Sequence, residues 1–336
     1  MSLAVAAVLF VGVTAYALFG GADFGAGFWD LIAGDAQRGR RPRAIASHAI
    51  GPVWEANHVW LIFILVVLWT AFPAAFAAIM QTLFVPLCLA ALGIVLRGAG
   101  FAFGKEVFRL SERRAFGATF ACASVLVPYC LGAVVGAIAS GRVRAVGAPG
   151  DAWSSWLNAT STLAGLLAVA VCAYLAAVYL AFDAHRLGQP DMVGYFRRRA
   201  LVSGAVAGAL SGAGIFVLAA DAPDMFEALT TRALVLVIVS GATGVGALLL
   251  LLRQQNFGAR GLAMCAVATV IWGWGVAQWP WLLPGTLTVA EGAAPEGTLV
   301  AVLVVFALAA AIILPSLGFL YVLHQRSRLG TDEGDA

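Results

Sequence analysis

Four polar residues could do chemistry because they interrupt segments that are otherwise apolar. Asp23 lies in the run GGADFGAGFWDL, and Glu55, Asn57 and His58 lie together in IGPVWEANHVWLIF. A carboxylate, an amide and an imidazole in the opening turns of one helix can relay protons or hold a chain of water. The i, i+3 spacing of Glu55 and His58 lets both face one neighbour. Ionisable groups at membrane depth each cost roughly a few kcal/mol, so a function is favoured at both places.

Structural interpretations of these residues stay open. Asp23 could carry protons, anchor a partner or simply face lipid head groups. Glu55 could instead be a carboxylate that is stabilised by the positive end of a helix dipole. Arg97, at the end of LAALGIVLRGAGF, either extends to the membrane interface or pairs with Asp23 or Glu55 inside the bundle. Trp54 and Trp60 flank the second motif. The stretch WGWGVAQWPWLLPGTLTV is typical of an aromatic belt at the membrane surface.

The elements that position these residues are membrane helices. Of the 336 residues, 62% are hydrophobic and 11% are charged, and the mean hydropathy is +0.94. Because a soluble domain carries roughly a quarter charged residues, a water-soluble fold is excluded. The net charge of +3 gives little support to nucleic-acid binding. The N-terminal run MSLAVAAVLFVGVTAYALFGG lacks a positive n-region and is too long for a signal peptide, so we predict a first membrane helix there.

Charged breaks divide the chain into apolar stretches of about 20 residues, enough to span a bilayer. The predicted fold is therefore all-α, a polytopic membrane protein of about nine transmembrane helices. They lie near residues 4–28, 51–72, 75–100, 116–139, 157–182, 200–220, 232–252, 261–283 and 298–323. Alternate crossing gives one side of the membrane 16 basic residues and the other side 3, with Arg97 left over. Since cytoplasmic loops are rich in Lys and Arg, we predict an N-out/C-in orientation.

A weak internal sequence similarity predicts how the helices are grouped. Helix 1 ends in AYALFGGADFGAG and helix 5 in AVYLAFDAHRL, each before an arginine-rich loop. We predict a single integral membrane domain, residues 1–336, in which residues 1–140 and 150–283 each form a four-helix bundle. Residues 298–325 form a peripheral ninth helix, and the acidic tail, residues 326–336, is predicted to be disordered.

Ligand residues for a metal or haem are scarce in the sequence. Of the four histidines, only His58 lies plausibly within a bundle, and metal-ligand spacings such as HxxxH or CxxC do not occur. The five cysteines all lie in apolar segments and are interpreted as packing residues. A haem held by this chain therefore has little support, and no metal site is predicted.

The runs GGADFGAGFWDL, IGPVWEANHVWLIF, LRGAGFAF and AQWPWLLPGTLTV together resemble subunit II of the cytochrome bd family of quinol oxidases. Their order and spacing match along essentially the whole chain, and the second run is the most specific. The resemblance implies two four-helix bundles plus a peripheral helix. It also implies a heterodimer with subunit I, which in that family carries two b-type haems, haem d and the quinol site. The complex oxidises quinol and reduces O2 to water in the bacterial cytoplasmic (inner) membrane, taking protons from the cytoplasm.

The resemblance also implies what this chain contributes. Subunit II holds no haem and is not catalytic alone; it stabilises subunit I and adds polar residues to a cytoplasmic proton route. Asp23 matches the carboxylate of the family's first motif, and Glu55 matches a proton-route position that is often Asp. Trp60 matches a tryptophan near a proposed oxygen channel, and Arg97 matches an arginine at the end of helix 3. On this basis Glu55, Asp23, His58 and Asn57 are expected on the proton route, and Arg97, Trp54 and Trp60 in structural or interface positions.

Two departures and one competing class remain. Glu55 has a longer side chain than the Asp that is usual at this position, and Ala102 stands where some members have an acidic residue. A structural quinone in this subunit and small accessory subunits are left open. The competing class is a proton-coupled secondary transporter, with Asp23 and Glu55 as coupling carboxylates at broken helices. Their position toward helix ends weighs against it.

Overall fold

The computed structural model describes residues 1–34, 37–50, 54–104, 110–145, 147 and 149–325. These residues form twelve helices and one small hairpin. The helices are α1 (Ser2–Leu31), α2 (Arg40–Ile50), α3 (Trp54–Ala71), α4 (Pro73–Thr82), α5 (Phe84–Gly104), α6 (Leu110–Ala139), α7 (Ala159–Arg186), α8 (Pro190–Asp221), α9 (Pro223–Thr230), α10 (Leu234–Leu252), α11 (Asn256–Gln278) and α12 (Glu296–Gln325). The antiparallel strands β1 (Trp281–Leu283) and β2 (Leu287–Thr288) follow α11.

The predicted all-α polytopic class is confirmed. Within the described residues, seven helices are long and apolar enough to cross a membrane, and an eighth span exists if α3 and α4 are taken together. Helix α5 is a shorter apolar helix over Phe84–Gly100. Helices lie at all nine predicted positions, but the count of nine spans and the orientation stay predictions.

One predicted helix, residues 75–100, is wrong as a single element. Helix α4 ends at Thr82 and α5 begins at Phe84, so this segment contains two helices. A separate bend of 118° lies between Asn57–Ala71 and Pro73–Thr82, at the predicted boundary. Pro73 occupies the first position of α4, where its missing N–H costs nothing. Pro86 lacks an N–H, and its ring would clash with the carbonyl four residues earlier, which favours a break at this point.

Helix α1 joins the two predicted halves of the chain. Its second half, Gly21–Leu31, packs against α6 and α7, while its first half packs against α3. Helices α6 and α7 also pack on each other, and α7 packs on α8. Buried side chains of α1, α7, α8 and α11 form one continuous apolar core. The predicted division into two bundles and a ninth helix stays a prediction.

Ion pairs tie loops together at both ends of the bundle. At one end, Arg41 of α2 lies 3.6 Å from Asp191 at the start of α8. At the other, Arg142, after α6, donates to Asp221 at the end of α8 over 2.6 Å. The connections after α1 and α7 therefore share one end, as alternate crossing requires.

Candidate functional site

Two glycines of α1 allow unusually close helix packing. A Cβ on Gly25 would lie 1.8 Å from the carbonyl oxygen of Cys172 in α7, and a Cβ on Gly27 would lie 2.1 Å from Ser124 Oγ in α6. Trp29 Nε1, one turn further on, donates to the carbonyl of Ala173 over 2.8 Å. The glycine-rich motif therefore presses the backbone of α1 against α7 and holds Asp23 at the junction of three helices.

Asp23 and Arg97 form a buried, two-pronged ion pair at this junction. Arg97 Nη2 donates to Asp23 Oδ1 over 2.8 Å, and Nη1 donates to Oδ2 over 3.1 Å. Nη2 also donates to the backbone carbonyl of Asp23 over 3.1 Å, and Nε donates to Ser124 Oγ over 3.0 Å. The Ser124 hydroxyl donates in turn to the Phe120 carbonyl over 2.7 Å. Only 1% of Arg97 and 4% of Asp23 are exposed.

Aromatic rings complete the enclosure of the guanidinium. Its central carbon lies 4.8 Å from the ring centroid of Phe24 and 4.7 Å from that of Phe120. Such contacts are attractive because the face of an aromatic ring carries partial negative charge. A buried ion pair offsets its desolvation only when the geometry is good and further hydrogen bonds satisfy the remaining donors. Both conditions are met at Arg97.

The structure thus distinguishes between the interpretations of Arg97. Its guanidinium does not extend to the membrane interface but pairs with Asp23. Because both carboxylate oxygens of Asp23 accept from Arg97, and neighbouring side chains enclose the pair, the geometry favours an anchoring role for Asp23 within this chain. A carboxylate held in this way is poorly suited to exchange protons or bind a coupling ion.

The start of α3 lies beside a π-helical turn in α1. This turn covers Tyr16–Gly20, and the buried Asn57 donates its side-chain amide to the carbonyl of Phe19 within it over 3.3 Å. The imidazole of His58 is half-buried, and its ring centroid lies 6.3 Å from that of Phe24. Single π turns inside α-helices occur frequently at functional sites. His58 therefore neighbours the same Phe24 ring that the Arg97 guanidinium faces, and Asn57 binds the turn that precedes Asp23.

The remaining predicted residues of this site lie further along or outside the described part. The side chains of Trp54 and Glu55 are outside the described residues, so their predicted positions stay predictions. Trp60 is half-buried, and its ring centroid lies 6.5 Å from that of Phe63 in a T-shaped arrangement.

Sequence reasoning missed two partners of the pair and the buried Tyr16 of the π turn. Ser124 and Phe120 come from α6, and no spacing in the sequence links them to Asp23. Tyr16, by contrast, lies two helical turns before Asp23, a spacing that predicts a shared face. Its hydroxyl is buried and has no hydrogen-bond partner among the described residues.

A second polar cluster lies at the C-terminal end of α8, opposite the end that carries Asp191. Asp221 accepts from Arg142, from the Thr160 hydroxyl and, over 3.3 Å, from the Thr160 amide. About a quarter of each ion-pair side chain is exposed. The cluster ties the loop after α6 to the start of α7 and the end of α8, which is a structural arrangement.

The tryptophan-rich stretch forms a folded cap rather than a simple helix end. Trp274 Nε1 donates to Gln278 Oε1 over 2.7 Å, and Gln278 Nε2 donates to the carbonyl of Leu282 over 2.9 Å. Trp279 and Trp281 remain partly exposed, as expected for residues at a membrane surface.

Comparisons with known proteins agree along nearly the whole chain. The sequence model of a family described as cytochrome bd terminal oxidase subunit II matches residues 1–324. The Bacillus subtilis (strain 168) protein named cytochrome bd ubiquinol oxidase subunit 2 is 28% identical over 173 residues, which are 49% of this chain and 48% of that relative. The chain thus matches about half of that relative's length.

Two further relatives are similar over most of their length. A protein of the same organism named putative cytochrome bd menaquinol oxidase subunit II is 22% identical over 324 residues, which are 93% of this chain and 92% of the relative. In the solved structure of the bd oxidase from Geobacillus thermodenitrificans, one chain matches with a TM-score of 0.76 and 24% identity. That match covers 96% of this chain and 98% of the other, and it establishes the shared fold.

Proposed function

Because the chain belongs to the cytochrome bd terminal oxidase subunit II family, we propose that it is the non-haem subunit of a bd-type quinol oxidase. The observation that carries the proposal is the family match over residues 1–324. In the proposed complex, a haem-bearing subunit I oxidises quinol and reduces O2 to water in the bacterial inner membrane. The b-type haems and haem d belong to subunit I, and this chain is not catalytic alone.

The first proposed task is to stabilise subunit I. Helices α8, α10 and α12 each leave large apolar side chains exposed, including Phe216, Val235 and Ile312. Such surfaces fit a lipid environment and a hydrophobic partner. The internal ion pair of Asp23 and Arg97 supports this task, since it fixes α1, α5 and α6 relative to one another.

The second proposed task is to contribute to a proton route from the cytoplasm. Asn57 and His58 lie at the start of α3 beside the π turn of α1, and Glu55 precedes them by less than one turn. We assign proton transfer to Glu55 and His58, with Asn57 holding the local backbone. Asp23 has a supporting role in this proposal: Arg97 occupies both of its carboxylate oxygens, so it fixes the helices beside the route and carries no proton itself.

A charge-neutral substitution tests the proton route. Glu55→Gln keeps the shape and removes the titratable group, so oxygen consumption per haem d should fall about tenfold or more, within the range known for lost proton transfer. Asp191→Asn is the matched control, because this exposed carboxylate makes only a long ion pair with Arg41. Unchanged turnover of Glu55→Gln at normal complex levels would leave this chain a purely structural subunit.

Co-purification tests the assignment itself. A tagged chain extracted in mild detergent should bring down one polytopic, haem-bearing partner in equal amount. Recovery of the chain without such a partner contradicts the proposal. The alternative, a proton-coupled transporter, predicts instead that the isolated chain catalyses uptake in liposomes; the occupied state of Asp23 argues against it.

A further inference from the structure

A polar cavity of about 650 Å³ lies between the ends of α7, α8, α10 and α11. Arg197, His185, Gln254 and Gln255 supply its polar lining, and Phe182 and Val193 are among its apolar residues. It shares no lining residue with the Asp23–Arg97 pair and has no part in the function proposed above. Its volume falls in the range of small-molecule sites and suits the head group of a lipid.

The polar side chains of this cavity lie at an open mouth, where His185, Gln254 and Gln255 are exposed and Arg197 is half-buried. Among the described residues, none of Arg197, His185, Gln254 and Gln255 has a hydrogen-bond or ion-pair partner for its side chain. No lining residue is acidic. The segments 182–199 and 253–260 together contain six arginines and two aspartates. The surroundings of the cavity are therefore positively charged.

The backbone acceptors nearby are already used. The last carbonyls of α7 accept from the turn that follows, with Gln189 N on Ala184 O at 3.0 Å and Gly188 N on His185 O at 3.2 Å. At the end of α10, Gln255 N donates to Leu250 O over 2.9 Å. The first hydrogen bond of α11 comes from Ala259 N, so the amide of Gly258, which lines the cavity, has no acceptor within its helix. The cavity therefore offers hydrogen-bond donors from the Arg197 guanidinium, the glutamine amides and the Gly258 amide.

The two turns that border the cavity have the same shape but different residues. Gly188 and Gln254 each occupy the left-handed position, with φ of 64° in both. Glycine adopts this conformation freely, whereas a glutamine is disfavoured there. The α10–α11 turn thus keeps a side chain where glycine would fold more easily, and that side chain lines the cavity.

We propose that this cavity binds a phosphate ester, supplied by the head group of an anionic phospholipid. Arg197 offers the planar, two-pronged donor that phosphate oxygens accept, and the glutamine amides and His185 add further donors. Basic pockets between membrane helices bind lipid head groups by the same chemistry. Leu187 and Leu252 stand exposed at the two bordering turns and give acyl chains an apolar surface.

Lipid counting by native mass spectrometry tests the proposal on the protein as purified, with any partner it retains. After delipidation, phosphatidylglycerol is titrated onto the wild type, Arg197→Gln and Arg198→Gln. Arg198 is exposed and is the neighbouring residue outside the cavity lining, so it controls for charge. We expect about tenfold weaker binding for Arg197→Gln, from loss of a charged hydrogen bond, and no change for Arg198→Gln. Equal weakening in both variants, or in neither, overturns the site.

A competition experiment identifies the source of the phosphate, and a further variant guards against misfolding. If millimolar inorganic phosphate displaces the lipid from the wild type, free phosphate is a ligand as well; if it does not, the head group is specific. Both results support the shared chemistry. Gln254→Gly suits the left-handed turn and so preserves the fold, and it should also weaken lipid binding. Wild-type binding by Gln254→Gly together with Arg197→Gln refutes the proposal.

Discussion

Replacing both members of the Asp23–Arg97 pair should restore much of the stability that either single replacement removes. Arg97→Met leaves the carboxylate of Asp23, only 4% exposed, without its two guanidinium hydrogen bonds. Removing one partner of a buried pair typically costs about 3–5 kcal/mol, because the other charge stays buried and unpaired. Asp23→Leu should cost a similar amount. The double variant removes both charges at similar volume and should lie within about 2 kcal/mol of the wild type.

The free energy of unfolding can be followed by titrating the purified complex with SDS in mixed micelles and recording tryptophan fluorescence. Arg142→Met serves as the control, because its ion pair with Asp221 is partly exposed and should be worth only about 1 kcal/mol. If the two single costs simply add in the double variant, the residues do not act as a unit and the reasoning is refuted. Oxygen consumption separates the roles: a stable double variant that no longer turns over would make Asp23 a proton carrier.

Three further predictions concern packing and the loops. Gly25→Ala should destabilise the chain by about 3 kcal/mol, because its Cβ would overlap a backbone carbonyl of α7. Gly208→Ala, with open space around it, should leave the stability unchanged, and thermal unfolding compares the two variants. Asp221→Asn should cost about 1 kcal/mol in the same assay, and a loss above 3 kcal/mol would mean that the outer cluster is stronger than its exposure suggests. The hydrogen bond from the Ser154 amide, with those of its neighbours, holds the pKa of Asp151 below the ordinary 3.8. The amides of this turn should therefore be protected from hydrogen exchange above pH 3.8 and lose that protection as the pH falls through the lowered pKa. Amide exchange of this turn reports the loss, and a turn in Asp151→Asn that shows the wild-type pH dependence would contradict it.

Much of the fold could be predicted because apolar length and charged breaks are local properties of the sequence. The break between α4 and α5 was missed although Pro86 signals it, since apolar composition continues across the proline without change. The π turn at Tyr16–Gly20 has no sequence signature, and it contacts α3 through the Asn57 hydrogen bond. Such a deviation cannot be read from hydrophobic periodicity.

The site was predictable in its charges but not in its pairing. Asp23 and Arg97 stand out as ionisable groups in apolar runs, and the neighbouring glycines indicate close packing. Which helix fills that space is a tertiary property, so Cys172 and Ser124 could not be assigned as the neighbours of Gly25 and Gly27. For the same reason, the choice between an interfacial and a paired Arg97 required the structure.

The visible absorption spectrum is the most direct test of the proposed function. The chain purified alone should show no haem absorbance, whereas the complex recovered after co-expression with its haem-bearing partner should show the bands of b-type haem and haem d. Haem absorbance in the isolated chain, or a co-purified complex without a haem d band, would contradict the assignment of this chain as the non-haem subunit of a bd-type oxidase.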